Sequence, residues 1–395
     1  MSYKNKHIRA SFFLDLFFKK KDFPRCYTKI TNTFTNSLIY KNNTSIILNS
    51  NYSIFNVYDI PNYLTPEFCS PDSFKLLTAP LYPGYLIDLT CFKDLEDYLT
   101  NHLGSPRKSQ LKRYRKRLDL CIAPNYKIYF GAINKEEYNT IFEALLSITE
   151  RRFKQKEEVN FEIPFLKIYH DIMYPLILEK KASIFVIYHK SKPINITLNF
   201  IDNETIFHWN SCYDIDYQMF NLGHINMVNH LDWAFNNGFK LFDMSRGDFL
   251  HKRKYINKKY MYIEHLIYNS KSAITTFKAY FEILKLKTRF TLINLLKSVN
   301  FHKVYRKYAK LKYRLTYNTD LKNITSIYNV SQIPTTEELQ LIDVNKNAFL
   351  IQPLNYFIHK NQEFVDNVKV YSCLKENNTY YFKGLKSQQK LTITK

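Results

Sequence analysis

The chain has little glycine, only 7 in 395 residues. Each one therefore marks a place where backbone freedom was hard to avoid. Cysteine is thin as well: the six at 26, 69, 91, 121, 212 and 373 form no CxxC or CxxH pair. That excludes a zinc knuckle or a disulfide framework as the organising device, and reduced thiols in a cytoplasm fit best. No apolar run reaches the roughly 18 residues that a membrane span needs. The clusters Phe12-Phe13-Leu14 and Phe17-Phe18 are interrupted by Asp15 and followed by Lys19-Lys20-Lys21. A signal peptide puts its charge first, so the order is wrong for one. Acid is in short supply, with 35 Asp and Glu against 57 Lys and Arg.

What is present can fold. A hydrophobic fraction of 45% and an aromatic fraction of 16% exclude a disordered chain, and the length suggests two or three domains. The net charge of +22 suits a polyanionic partner: nucleic acid, an acidic membrane face or a phosphorylated substrate. Richness in Lys, Asn, Ile, Tyr and Phe also reads as AT-rich coding bias, in which case the charge serves solubility. Composition does not choose between the two.

Residues 1–37 read as an irregular arm or a first helix. Leu38 to Tyr58 alternates short apolar runs with Asn and Ser, which predicts strands separated by turns. Pro61, Pro66, Pro71, Pro80 and Pro83 predict a loop-rich stretch, with a strand at 85–89 after it. Helical spacing begins at Phe92 and breaks at Gly104-Ser105-Pro106, where Ser105 reads as an N-cap and Pro106 as a first turn. The helix from Arg107 to Leu118 keeps Leu111, Tyr114 and Leu118 on one stripe and turns seven Lys and Arg outward. That is either a phosphate-facing patch or a solvated face. A strand at 126–130 and helices at 135–155 and 161–178 follow. Strands at 182–189, 194–201 and 205–212 form an antiparallel meander. A loop at 213–223, a helix at 224–235, a short strand from 239 and a last strand at 260–268 complete the pattern. Lys271 to Leu315 is a long basic helical region, read as packing on the core in preference to lying on an anionic membrane. Residues 318–395 read as a small tail with strands.

The stretch Phe242-Asp243-Met244-Ser245-Arg246-Gly247-Asp248-Phe249-Leu250-His251-Lys252 is the most informative. An apolar run ends there and charges of both signs crowd around one glycine. A short strand that follows a crossover helix lies parallel to its neighbour. At 240–244 it would splay from the strand at 205–212, leaving N–H groups able to polarise a carbonyl. The loop at 213–223 runs into a helix N-terminus, a natural seat for a pyrophosphate.

This order resembles the GCN5-related N-acetyltransferase (GNAT) fold. More narrowly, it resembles the branch named after the cellulose-biosynthesis protein CelD, a relative of the FemAB-type peptidyltransferases. Four segments carry the likeness: Asp88-Leu89 with the helix 107–118; the helix end at 146–153 with Arg152; Tyr213-Asp214-Ile215-Asp216-Tyr217 with Asn221-Leu222-Gly223-His224; and Phe242-Asp243 with Arg246-Gly247-Asp248 and Lys252. Leu222 stands where that family has Pro, and His251 where it has Tyr. The resemblance implies a mixed α/β (α+β) sheet flanked by helices, in two tandem GNAT-like domains. A degenerate one would cover 38–130 and the acyltransferase one 131–270, with an arm at 1–37, a basic helical region at 271–316 and a small region at 317–395.

What the resemblance implies chemically is transfer from acetyl-CoA or another acyl-CoA to an amine or hydroxyl, as in cell-envelope, polysaccharide or glycoconjugate assembly. The acceptor attacks directly, so neither an enzyme nucleophile nor a metal is needed. Asp248 would be the general base or orient the acceptor, beside Arg246 and Lys252. Lys252 would bind donor phosphate or acceptor carboxylate, and His208 could be a base facing the cleft. Asn221, Gly223, His224 and Arg246 would hold the donor. Tyr213, Asp214, Asp243 and Arg152 would line the acceptor side. The plainer readings are an Asp248–Arg246 salt bridge, a core His208, a structural Asp243 and Cys212 as a small hydrophobe. Two other functions stand beside acyl-CoA transfer: FemAB-like aminoacyl transfer from tRNA, and a non-catalytic nucleic-acid or membrane-surface protein. The location expected is the cytoplasm, with peripheral contact at the inner membrane face left open.

Overall fold

The computed structural model describes residues 6–18, 27–41, 52–68, 73–247, 250–317, 324–335 and 338–394. Two compact units interleave along the chain. Met1–Tyr98, Asn199–Trp209 and Ala234–Lys307 form the first, and Leu99–Leu198, Asn210–Trp233 and Tyr308–Lys395 form the second.

The chain opens with β1 (Lys6–Ser11), β2 (Tyr27–Asn32), β3 (Ser37–Lys41), β4 (Tyr52–Pro61), β5 (Leu64–Phe68) and β6 (Phe74–Asp88). Then come α1 (Leu95–Asp97), α2 (Ser105–Ile122), β7 (Asn125–Tyr129), α3 (Lys135–Lys156) and α4 (Ile163–Leu178). The middle holds β8 (Ala182–His189), β9 (Lys192–Asp202), β10 (Thr205–Tyr213), α5 (Leu222–Asn236), β11 (Leu241–Arg246), α6 (Leu250–Tyr255) and β12 (Lys258–Asn269). Last are α7 (Ala273–Ser298), α8 (Phe301–Tyr317), β13 (Ile324–Asn329), β14 (Leu339–Leu341), α9 (Ile351–Asn361), β15 (Lys369–Cys373), β16 (Thr379–Lys383) and β17 (Gln388–Thr394). The architecture is mixed α/β, as expected.

In the first unit a mixed sheet runs in the order β1-β4-β12-β6-β11-β10, and β3-β2-β5 form a smaller sheet. The described residues of the N-terminal stretch belong to this body, with a helical segment at Phe12–Phe18 where an irregular arm or first helix was expected and a strand on either side. β1 pairs in parallel with β4. Phe12 and Phe13 are buried, and the Phe13 ring meets Phe207 edge-on at 4.9 Å. Two aromatic side chains of that size are worth more in a core than on an arm. Pro61, Pro66, Pro80 and Pro83 lie in strands rather than loop, and Pro71 lies outside the described residues. β11 pairs with β6 only over Gly84–Asp88, while Pro80 and Pro83 straddle the register shift opposite Tyr262 and Ile263 of β12. Beyond the reach of β11, a missing N–H breaks no ladder on that side.

In the second unit β7 pairs antiparallel with β8, and the strand order is β10-β9-β8-β7. Helix α2 starts one residue earlier than read: Gly104, at φ 84°, holds the N-cap position and Ser105 is already helical. The C-terminal residues are no loose tail. β13-β17-β16-β15-β14 form an antiparallel sheet. Phe357 of α9 and Phe382 of β16 join one core with Leu118 of α2 and Ile225 of α5.

Helix α7 packs on the core through its first half, as expected, while α8 departs from that expectation. Thr275, Ala279 and Ile283 of α7 are buried, and Ala279 and Ile283 pack on Ile54, Ala79, Leu266 and Tyr268. Most of the other large apolar side chains of both helices face solvent. Among the described residues no helix is long and apolar enough to cross a membrane.

Candidate active site

A chain segment that leaves β10, runs through α5 and returns as β11 must place β11 parallel to β10. The pairs are Thr205 with Leu241, Ile206 with Phe242 and Phe207 with Asp243, and the ladder stops there. β11 itself continues to Arg246. Ser245, at φ 58°, turns the backbone, and its hydroxyl donates to the His208 carbonyl at 3.5 Å. Parting of the parallel strands was legible in the sequence.

Asp243, the last paired residue, is fully buried. Its carboxylate accepts from the Tyr63 hydroxyl at 2.5 Å, the Tyr260 hydroxyl at 2.7 Å and the Ser245 amide at 2.6 Å. The Tyr262 hydroxyl lies 2.8 Å from that of Tyr260. Gly84 makes room for this cluster, since a Cβ there would meet the Tyr260 ring at 2.1 Å. Burial pushes the Asp243 carboxyl up to about 6, against the pull of the three donors and of the Lys252 charge. Burial likewise raises Tyr63, Tyr260 and Tyr262 well above the usual phenol range.

Lys252 is buried in α6. Its ammonium donates to the carbonyls of Met244 at 2.5 Å and Arg246 at 2.6 Å. It thus ties down the end of β11, where the sequence suggested a hand for donor phosphate or acceptor carboxylate. Burial brings it down to about 8. Arg246 is exposed and turns to Tyr82, its guanidinium 3.4 Å from the hydroxyl; that hydroxyl in turn bonds Asp59. His208 is half-buried, with its ring 5.7 Å from that of Phe242. Asp248 and Phe249 lie outside the described residues, as does the side chain of His251. The structure brings Asp243, Lys252, His208 and Arg246 to one end of β11. Tyr63, Tyr82 and Tyr260 are the residues that sequence reasoning missed there, and nothing in their local pattern marks them.

In the second unit the segment after β10 is a 3-10 turn, Ile215–Phe220, which the sequence suggested as open loop. Asp214 caps it and is buried. One Asp214 oxygen accepts from Arg151 at 2.8 Å and from the Asp216 amide at 3.0 Å, and the other lies 2.7 Å from the Lys192 ammonium. Arg151 also donates to Asp216 at 2.8 Å, and Asn355 of α9 donates to the Asp216 carbonyl at 2.9 Å. Asp214 is thereby a loop anchor rather than an open acceptor contact. Its ionic partner on α3 is Arg151. Arg152, the residue singled out by sequence, stacks over Tyr213 at 4.2 Å. A signal for Arg151 existed: two aspartates at i and i+2 in a turn call for a cation. Cys212 is buried and its thiol is pushed up by burial, which fits a small hydrophobe.

Asn221, at φ 58°, ends the turn and its carbonyl accepts from the His224 amide at 2.9 Å. The N–H groups of Leu222 and Gly223 open α5, where no intrahelical acceptor exists and the helix dipole favours anions. Nothing lies within 4 Å of a Cβ placed at Gly223. Arg107, at the start of α2, brings its guanidinium within 3.2 Å of the His224 ring, and Tyr114 stacks on that ring at 6.1 Å. Arg115 reaches Asn229 at 2.6 Å. Part of the basic face of α2 is therefore turned to α5.

A β-strand, a connecting helix and a parallel strand that parts from the first are the arrangement of the GNAT class of fold. Residues 105–253, from α2 into α6, match the family model of the Acetyltransferase (GNAT) domain. Similar solved structures include FemX, 9% identical over 55% of this chain and 72% of that one, with a TM-score of 0.38. The L-PGS of Bacillus licheniformis is 11% identical over 59% and 72%, with a TM-score of 0.35. A GCN5-related N-acetyltransferase from Kribbella flavida is 10% identical over 54% and 67%, with a TM-score of 0.27. No curated protein matches the chain.

Proposed function

We propose that the chain transfers an acyl group from an acyl-CoA thioester to an amine or hydroxyl acceptor. The observation that carries this reading is the end of β10–β11 pairing at Phe207 and Asp243, inside the stretch that matches the GNAT family. Backbone N–H groups where a parallel ladder ends can polarise a thioester carbonyl and hold the oxyanion that forms on attack. The opening turn of α5, with Asn221, Gly223 and His224, takes the donor pyrophosphate, and Arg107 beside His224 adds a bidentate-capable cation.

The acceptor nitrogen or oxygen attacks the thioester carbon. Its proton passes to a carboxylate, for which Asp248 is the candidate that the sequence offers. Collapse of the tetrahedral intermediate breaks the C–S bond and releases CoA thiolate. Asp243 and Lys252 fix the end of β11 as positioning residues. His208 is the second candidate base, and Tyr213 with Arg152 meets the acceptor.

The test is a panel of CoA thioesters, read by free-thiol release with candidate amines and alcohols and by thermal stabilisation, with aminoacyl-tRNA in parallel. Stabilisation and thiol release by one thioester support the reading. Response to aminoacyl-tRNA alone replaces it with aminoacyl transfer, and response to neither overturns both. Asp248→Asn is expected to lower kcat/KM by about 100-fold or more; unchanged turnover removes its role as base.

A further inference from the structure

Helix α8 wears its amphipathicity the wrong way round for a helix that covers a core. Val304, Tyr308, Leu311 and Leu315 recur at i, i+4, i+7 and i+11, one stripe of a 3.6-residue period. A core-covering helix turns that stripe inward. Here the four side chains are 61%, 60%, 57% and 78% exposed. The polar side is the one that is held. Arg314 donates to the Glu157 carboxylate at 2.8 Å and Lys310 approaches it at 3.9 Å. Glu157 is itself buried at the C-terminus of α3.

Charge says what covers the stripe. From residue 283 to 317 there are ten Lys and Arg and no Asp or Glu. Four exposed apolar side chains of α7 (Leu284, Leu292, Ile293 and Leu295) and Val299 at its C-cap lie in the same stretch of sequence. A second copy packed across a two-fold axis would bring this cationic stretch against itself. A nucleic-acid backbone satisfies the cations and leaves Leu311 and Leu315 in water. An anionic bilayer surface satisfies both, because its headgroups neutralise the cations while the apolar stripe enters the acyl boundary. Tyr305, Tyr308 and Tyr317 suit that boundary, with an apolar ring and a wet hydroxyl. At 17 residues, α8 is about 25 Å long and too charged to span, so it would lie in the plane.

We propose that α8 is a membrane-docking helix that places its Val304–Leu315 stripe in the surface of an anionic lipid bilayer. The site is independent of the acyl-transfer reading and holds whether or not that reading survives.

Co-sedimentation of the full chain with vesicles tests it. Vesicles of phosphatidylcholine with about one third phosphatidylglycerol are expected to carry the protein down, and pure phosphatidylcholine vesicles to carry far less. Added salt should weaken binding. Leu311→Asp with Leu315→Asp, and separately Lys303→Glu with Lys307→Glu, should each lower binding about tenfold or more. These positions are exposed and spare the Glu157 contacts, so the melting temperature should stay put and confirm the fold. Three results overturn the proposal: no binding to anionic vesicles, equal binding by the Leu311/Leu315 variant, or a dimer in light scattering that this variant dissolves.

Discussion

Asp243 and Asp214 are both buried carboxylates, and they are kept by opposite means. Asp243 is surrounded by neutral donors, two tyrosine hydroxyls and an amide. Asp214 has a guanidinium and an ammonium within 2.8 Å. Neutral donors stabilise a buried anion less than full charges do, so burial wins at Asp243 and its carboxyl rises to about 6. The Asp214 pair fixes a loop. The Asp243 cluster holds its carboxyl above the usual carboxylate range through burial.

The largest effect should come from pH. A carboxyl raised in the folded state from 3.8 to about 6 makes the folded chain bind more protons than the unfolded one between those values. Stability therefore falls as pH rises from about 4 to about 6, by about 3 kcal/mol from this group. Lys252, lowered to about 8, acts in the opposite sense: its contribution is regained as pH rises from about 8 to about 10.5. Urea unfolding of Asp243→Asn against the parent should show the first slope vanish while the second stays. A parallel shift at all pH values would break the contrast with Asp214.

Next is Arg151→Met. It leaves Asp214 with the Lys192 ammonium and the Asp216 amide and takes the guanidinium from Asp216. Denaturant titration should show a loss of about 2 kcal/mol, moderated because the arginine is partly exposed. Tyr63→Phe removes one neutral donor and should cost about 1 kcal/mol, with the Asp243 carboxyl rising further; an NMR titration of that carboxyl checks the direction. Gly223→Ala should change the melting temperature least, within about 0.5 kcal/mol, because its Cβ meets nothing. If α5 opens onto the donor, the same change should raise the KM for the thioester several-fold.

Local pattern made one part of the molecule legible. The meander, α5 and the return of β11 follow from period and from the glycine after α5, and they gave the parting of the parallel strands. The Asp243 cluster was not legible because its partner Tyr63 lies 180 residues away, so only the fold brings them together. Asp214 looked like an acceptor contact because the aspartates at 214 and 216 call for a cation without naming the helix that supplies it. Pro80 and Pro83 read as loop because a sequence does not say where a neighbouring strand ends. α8 read as core-packed, like α7, because amphipathicity fixes which residues share a face and not which way that face looks.

Calorimetric titration of the full chain with a CoA thioester, paired with thiol release by the parent and by Asp248→Asn, tests acyl transfer at the end of β11 most directly. The account predicts saturable 1:1 binding by both proteins and turnover by the parent alone. Absence of binding to every thioester, or equal turnover by the two, would contradict it.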